Sequence, residues 1–241
     1  LANNKNYGFA EGKNKGIESA LKAKADYIIL LNNDTYVDKN LVNELLQPFE
    51  KDKKVGAVSP LIYFAKGYEF HKEKYKKSDS GKVIWSGGGN IDWANVFGQN
   101  TKVDEVDNGK LKKREIEFAT GACVAYSREA LKKTGLFDDK YFMYYEDVDL
   151  SLRLRNKGFK IIFNPKAVLW HKVAQSSGIG SGLNDYFITR NRLYFGMKYA
   201  SLRTRLALFR EALKHLFTGR RWQRVGVYDY FLGNFWKGSW N

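Results

Sequence analysis

The run Tyr27-Ile28-Ile29-Leu30-Leu31, which breaks off into Asn32-Asn33-Asp34, constrains this chain more than any other feature. Consecutive apolar side chains cannot alternate between a wet and a dry face. The run therefore predicts a parallel strand buried on both faces, and such a strand needs helices on either side. A helical period from Ile17 to Lys24 places Ile17, Ala20 and Leu21 on one face. A second helix is expected from about Leu41 to Phe49, capped by Asp38 or Asn40. Val55 to Tyr63 reads as a strand, Val83 to Trp85 as a short strand leading into Gly87-Gly88-Gly89, and Phe118 to Tyr126 as a strand broken by Thr120-Gly121. Arg128 to Lys133 is a short helix stopped by Gly135. Another helix runs from the acidic Glu146 region to about Asn156, and Lys160 to Phe163 and Ala167 to Trp170 are two more strands. Residues 64–82 and 98–114 lack an apolar period and are expected as loops. Strands alternating with helices predict an α/β sheet covered by helices.

A chain of 241 residues suffices for one α/β domain and an appendage. We divide it at 184/185: an α/β unit over 1–184, and an amphipathic, basic, helical region over 185–241, helical at least to Phe217. With 44% hydrophobic and 15% aromatic residues the composition is not that of a disordered chain. No apolar run approaches the roughly 18 residues that span a bilayer. A single cysteine, Cys123 in the string ACVAY, excludes an internal disulfide framework, fits a reducing cytosolic setting and reads as a core residue. The chain opens at Leu1 directly in a Gly/Asn-rich motif with no strand ahead of it, so further residues are expected to precede it.

Four features could carry chemistry. Asp34 follows the end of a buried strand, where open α/β sheets bind ligands. With its Asn neighbours it offers hard oxygens for Mg²⁺ or Mn²⁺, although Asn-Asp-Thr is also ordinary turn chemistry. The segment GFAEGKN has the density of a phosphate loop but not its spacing: three residues separate Gly8 from Gly12, and Asn14 follows Lys13. That excludes a Walker ATPase and a dinucleotide fold, while leaving close approach of backbone N–H groups to a phosphate open. Glu146, Asp147 and Asp149 put three carboxylates within four residues, which repel unless a cation or proton relieves them. Glu146 and Asp147 are the candidates for a general base. Asp149, spaced i,i+4 from Arg153, is read first as half of a surface pair and second as an acceptor contact. His171 closes the last strand. His71 and His215 lack a surrounding motif and read as surface residues.

The order of these motifs says more than any one of them. N-x-G-F-A-x-G-x-N-x-G, a strand ending N-N-D, W-S-G-G-G, A-T-G-A, Y-E-D-V-D-L-S-L-R and W-H-K follow one another from about residue 3 to 192. This succession resembles the family-2 glycosyltransferases, and within them the rhamnosyltransferase-like branch that builds bacterial surface polysaccharides. The resemblance implies a GT-A fold whose first, base-binding strands lie before Leu1. It implies an enzyme that inverts the anomeric centre, with a nucleoside-diphosphate sugar as donor and a saccharide or lipid-linked saccharide as acceptor. The family's D-x-D metal motif falls on Asn32-Asn33-Asp34, with Asn32 replacing the first acid. Asp34 is thus the expected metal ligand, and Asn32 a ribose contact. Asp147 takes the base position beside Glu146, and His171 the place of a second metal ligand; an imidazole in the site favours Mn²⁺ somewhat over Mg²⁺. Donor contacts are expected from Asn6, Gly8, Gly12, Asn14, Asn32, Asn33 and Gly121, and sugar stacking from Trp85.

Net charge is +15, and residues 186–241 carry 11 Lys+Arg against 2 Asp+Glu together with 14 aromatic residues. Leu206, Phe209, Leu213, Leu216 and Phe217 recur at helical spacing among Arg203, Arg205, Arg210 and Lys214. The pattern predicts a helix lying on an anionic membrane surface, hence a cytoplasmic enzyme peripheral to the inner face of the cell membrane; the bland alternative packs the helix on the catalytic unit. A nucleic-acid-binding protein is the rival from charge alone, but no zinc pattern, RNP-like motif or helix-turn-helix signal supports it and nucleic acid is not expected as a partner. A catalytically inactive sugar-nucleotide binder is the second rival, raised by Asn32.

Overall fold

A computed structural model describes residues 5–173 and 181–240; residues 3 and 4 of the opening motif lie outside the described residues. Helix α1 (Gly8–Lys22) precedes strand β1 (Tyr27–Leu31), the short β2 (Thr35–Val37), helix α2 (Leu41–Lys51) and the long β3 (Val55–Phe64). Strands β4 (Ile84–Ser86), β5 (Gly89–Asp92), β6 (Phe97–Asn100) and β7 (Arg114–Glu115) lead to β8 (Cys123–Ser127), α3 (Arg128–Thr134), α4 (Glu146–Asn156) and β9 (Lys160–His171). Three helices follow: α5 (Gly182–Tyr199), α6 (Leu202–Thr218) and α7 (Arg221–Leu232).

The main sheet runs β1-β8-β3-β9-β2, with β4 on β3 and β7 on β9. It is mixed: β3 and β9 are parallel, while β1–β8, β3–β8 and β2–β9 are antiparallel. The parallel, doubly buried strand expected at 27–31 is thus corrected. β1 pairs antiparallel with β8, its burial alternates, and Leu31 is 40% exposed. The strand buried along nearly its whole length is β3. Tyr27 and Ile29 face a core with Phe49 and Leu45 of α2, while Ile28 and Leu30 face Ile17 of α1 and Tyr126. The apolar run marks apolar neighbours on both faces of β1 up to Leu30, leaves Leu31 exposed, and carries no information on strand direction.

Other boundaries move for local reasons. The helix expected at Ile17 begins at Gly8, because Gly8, Gly12 and Gly16 fall at i, i+4 and i+8 of one helix instead of forming a loop. The two strands at 160–163 and 167–170 are one, with a register shift between Pro60 and Leu61 that absorbs Pro165 to Ala167. The polar loop at 98–114 contains most of β6 and the first residue of β7, and the loop at 64–82 contains two 3-10 turns, Lys72–Lys74 and Lys77–Asp79. Of the 118–126 run only the residues from Cys123 on are regular strand, and that strand continues to Ser127.

Helix α5 is not solvated on all sides. Leu193 and Phe195 share a core with Tyr141, Tyr145, Val148 and Leu152 around α4, and with Leu208 and Ala212 of α6. Arg190 and Asn191 are fully buried.

Candidate active site

Antiparallel pairing of β2 with β9 sets Thr35 opposite His171. Asp34, one residue earlier, therefore arrives beside the imidazole: its backbone C=O accepts from Lys172 N–H at 2.9 Å, and its Oδ1 lies 3.0 Å from His171 Nε2. Pairing of β1 with β8 sets Leu31 opposite Cys123, and Asn32 N–H continues the ladder to Ala122 O at 2.9 Å. Gly121 then donates its N–H to Asp147 Oδ2 at 2.9 Å, and Val148 N–H to Asp147 Oδ1 at 2.8 Å. Two strand pairs and one side-chain bond thus gather residues 32, 34, 121, 147 and 171.

They line one cleft of about 440 Å³, together with Trp85, Glu146, Phe97 and Tyr144. That volume falls within the range of small-ligand sites. A shallower groove beside it is lined by Gly8, Gly12, Lys13, Asn32, Asn33 and Asp34. Asp34 and Asn32 border both, so the two spaces meet at the end of β1.

The carboxylates differ. Glu146 is buried, and its Oε2 has no hydrogen-bond partner. Burial first, then the neighbouring Asp147, holds its carboxyl well above the usual range. Asp147 is raised too, by burial, but the N–H groups of Gly121 and Val148 oppose that shift by stabilising the anion. Of the pair, Asp147 is the better carboxylate and Glu146 the better neutral acid.

His171 is depressed by burial, with Asp34 pulling the other way, so its imidazole is neutral and its lone pair is available. Its Nδ1 is buried without a hydrogen-bond partner, and the Trp85 ring meets it edge-on with centroids 4.7 Å apart. Two donors bound side by side to an octahedral ion at about 2.1 Å lie about 3 Å apart, which the Asp34–His171 spacing of 3.0 Å matches. Among the described residues no group of three or more His, Cys, Asp or Glu could hold a metal. The pair could supply two ligands to a divalent ion.

Not every expected residue reaches the cleft. Asp149 does not: it is fully buried, and it accepts from Arg153 Nε (2.6 Å), Tyr199 Oη (2.8 Å), Lys198 Nζ (3.1 Å) and Tyr141 Oη (3.3 Å). The surface pair expected with Arg153 is a buried hub joining α4 to α5. Asn14 spends its amide on Phe137, donating to its O at 2.8 Å and accepting from its N–H at 3.0 Å. Asn6 accepts from Gly8 N–H at 2.9 Å, just ahead of α1.

Three site features escaped the sequence reading. Lys13, set aside for breaking the Walker pattern, donates to Leu31 O (3.3 Å) and Asn32 Oδ1 (3.4 Å) at the groove. Burial lowers its pKa, with Cys123 and Asp34 opposing. The second is the turn ahead of Glu146, where Phe142, Tyr144 and Tyr145 have φ of +62°, +66° and +73°. Such a backbone costs about 1–3 kcal/mol per non-glycine residue. The third is the set of groups that hold that turn. Phe142 O accepts from Phe9 and Ala10 N–H at 2.7 and 3.1 Å. Gly8, at φ +74°, lies against the Phe142 ring, where any Cβ would collide. An Arg-Asn pair inside a basic helix gave no sign of contacting a turn some fifty residues earlier.

The chain matches the model of "Glycosyltransferase like family 2" over residues 2–196. It is 28% identical over 155 residues to an N-acetylglucosaminyl-diphospho-decaprenol L-rhamnosyltransferase of Mycobacterium tuberculosis, covering 64% of this chain and 49% of that protein. It is 26% identical over 175 residues to a poly-beta-1,6-N-acetyl-D-glucosamine synthase of Staphylococcus aureus, covering 72% of this chain and 36% of that one. The matches thus span half or less of those relatives. In fold it is similar to GalNAc-T7, solved with UDP, GalNAc and Mn²⁺, at a TM-score of 0.56 and 19% identity over 98% of this chain and 46% of that one. The family match covers most of the chain, the α/β sheet has the GT-A arrangement, and the chain belongs to the glycosyltransferase family 2-like proteins.

Proposed function

We propose that the cleft transfers a sugar from a nucleoside diphosphate to an acceptor hydroxyl with inversion at C1. The observation that carries this reading is the meeting of Asp34, His171, Glu146 and Asp147 on one cavity. In this reading the diphosphate occupies the side of Asp34, His171 and the Lys13 groove. Gly121, Trp85 and the 144–147 turn face the sugars. Asp147 removes the acceptor proton as the acceptor oxygen forms its bond to C1; the C1–phosphate oxygen bond breaks, and the electron pair leaves with the nucleoside diphosphate. A proton taken up by Asp147 is lost to solvent before the next turnover. No side chain forms a covalent intermediate.

Asp34 and His171 would hold a divalent ion, Mn²⁺ or Mg²⁺. When bound, the ion supplies Lewis-acid stabilisation of the diphosphate charge. Lys13 adds a fixed positive charge at the same place.

The acceptor is inferred from helix α6. Helix α6 buries Leu208 and Ala212 but turns a second apolar stripe outward, with Leu202 at 73%, Leu206 at 53% and Phe217 at 83% exposure. Arg203, Arg210 and Lys214 flank the stripe, and Phe231 and Leu232 of α7 extend it. An exposed apolar stripe edged by cations fits the interface of an anionic bilayer. Among the described residues no helix is long and apolar enough to cross a membrane. A lipid-linked saccharide at a membrane surface is thus the acceptor we infer, in keeping with the decaprenol-linked substrate named for the mycobacterial relative; rhamnose, which that name also carries, is the donor sugar to test first.

The test is a donor panel of dTDP-, UDP- and GDP-sugars with Mn²⁺, read as release of nucleoside diphosphate. Release from one donor that stops with EDTA and returns with Mn²⁺ is expected. Release indifferent to EDTA refutes the metal assignment, and no release from any donor refutes the enzyme.

A further inference from the structure

The 140–145 turn is held from outside. Arg190 on α5 donates from Nη2 to Lys140 O (3.2 Å) and Tyr141 O (3.1 Å). Asn191 donates from Nδ2 to Tyr141 O (2.9 Å), Met143 O (2.7 Å) and Tyr144 O (2.9 Å). The first turn of α1 takes the one carbonyl between them, that of Phe142. Every carbonyl from 140 to 144 is therefore met by α1 or α5. Arg190 is fully buried, yet among the described residues no carboxylate pairs with it directly; its remaining hydrogen bonds go to Asn191 Oδ1 (3.0 Å), Tyr186 Oη (3.2 Å) and Asn234 O (3.5 Å). A buried guanidinium is costly without full hydrogen bonding. Here its fork is used on backbone carbonyls of a turn that the chain alone would not adopt, because it contains three non-glycine residues with positive φ. The turn ends at Tyr145, and the next two residues are Glu146 and Asp147 in the first turn of α4.

We propose that Arg190 and Asn191 are positioning residues for Asp147: they fix the 140–145 turn, and through it the direction in which the first turn of α4 presents its carboxylates to the cleft. The inference rests on the reading of Asp147 as the base. On the diphosphate side, Asp34 and His171 are set by the pairing of β2 with β9 and Asn32 by that of β1 with β8, strands to which, among the described residues, Arg190 and Asn191 make no hydrogen bond. Loss of the clamp is therefore expected to spare nucleotide binding and lower turnover. This is the region from which the basic appendage was expected to begin, so its first helix serves the cleft and not only the surface.

The experiment compares Asn191→Ala and Arg190→Lys with the parent chain, each also in an Asp147→Asn background. Arg190→Lys keeps the charge and stem but replaces the fork, and it carries the test should Asn191→Ala not fold. Displacing a reacting group by about 1 Å costs about 100-fold in rate. The expected result is a kcat lower by about that factor for Asn191→Ala, with affinity for Mn²⁺ plus nucleoside diphosphate, read by calorimetry, changed less than about threefold. In the Asp147→Asn background the same substitutions are expected to add little further loss, since both act through one group. Hydrogen exchange at Phe142 and Met143 N–H, which needs no turnover, is expected to quicken. Unchanged kcat and exchange in both variants overturn the proposal, and so does an equal loss with and without the Asp147 carboxylate. A dead Asp147→Asn beside fully active clamp variants sinks the positioning role alone; an active Asp147→Asn sinks the base assignment beneath it.

Discussion

Replacing Glu146 by Gln separates the two adjacent acids. Glu146 is buried with Oε2 unpartnered, next to Asp147, and its carboxyl is held well above the usual range. An unfolded Glu titrates near 4.3. Below that pH the acid is protonated in both states and no penalty exists. As pH rises, the unfolded chain releases its proton while the folded chain keeps it, so stability is lost between the unfolded and the raised folded pKa. Gln mimics the neutral acid and removes this loss. A buried polar group without a partner costs about 1–3 kcal/mol, more when charged, and each kcal/mol shifts Tm by about 2–4 °C in a chain of this size. Thermal melts of parent and Glu146→Gln are therefore expected to coincide near pH 4 and to part by several degrees at pH 7–8, with the variant higher. Nucleoside diphosphate release is expected to persist, because burial favours the neutral form of this carboxyl, which Gln mimics. A Tm lowered equally at all pH values, or turnover as dead as that of Asp147→Asn, would show that the ionised Glu146 is needed and refute the reasoning.

Other expectations follow from the same geometry. His171→Ala is expected to weaken Mn²⁺ binding in the presence of nucleoside diphosphate by at least about tenfold, read by calorimetry, because one of two protein ligands is gone. The acid limb of kcat is expected above the ordinary Asp value of about 3.9, since burial raises Asp147 and only its anion accepts the proton; a limb at or below that value would contradict the burial argument. Gly8→Ala is expected to cost about 2–4 kcal/mol in denaturant unfolding, combining a positive φ with a collision against Phe142. Leu206→Glu with Phe217→Glu is expected to abolish binding to vesicles containing anionic lipid while leaving donor turnover intact, and binding by the parent chain is expected to weaken with salt. Binding that persists in the variant would return α6 to an ordinary solvated surface.

Much of the site was legible because its residues sit where strands end. Asn32 to Asp34 and His171 close apolar runs, and a polar group at such a point has few structural reasons to be there. Asp147 was legible because three carboxylates crowd four positions. What composition and spacing could not reveal is pairing. The direction of β1 depends on β8, nearly a hundred residues later. Asp149 looked like an exposed helical pair because Tyr141, Lys198 and Tyr199, which bury it, lie outside its own helix. Asn14 has the residue type of a donor contact, yet its amide is consumed by a single backbone partner at Phe137. Lys13 was judged against a phosphate-loop pattern that needs a loop, whereas here it projects from a helix toward the end of β1. The role of Arg190 and Asn191 was hidden because their targets are main-chain carbonyls, which leave no mark in the sequence.

In the proposed mechanism Asp147 acts as base in the cleft that it shares with Asp34 and His171. The most direct measurement pairs two readouts on Asp147→Asn: transfer to acceptor from the donor the panel identifies, and affinity for that donor with Mn²⁺. Transfer lost by about 100-fold or more, with donor affinity close to that of the parent chain, is the predicted outcome. Transfer within a few-fold of the parent would contradict the account.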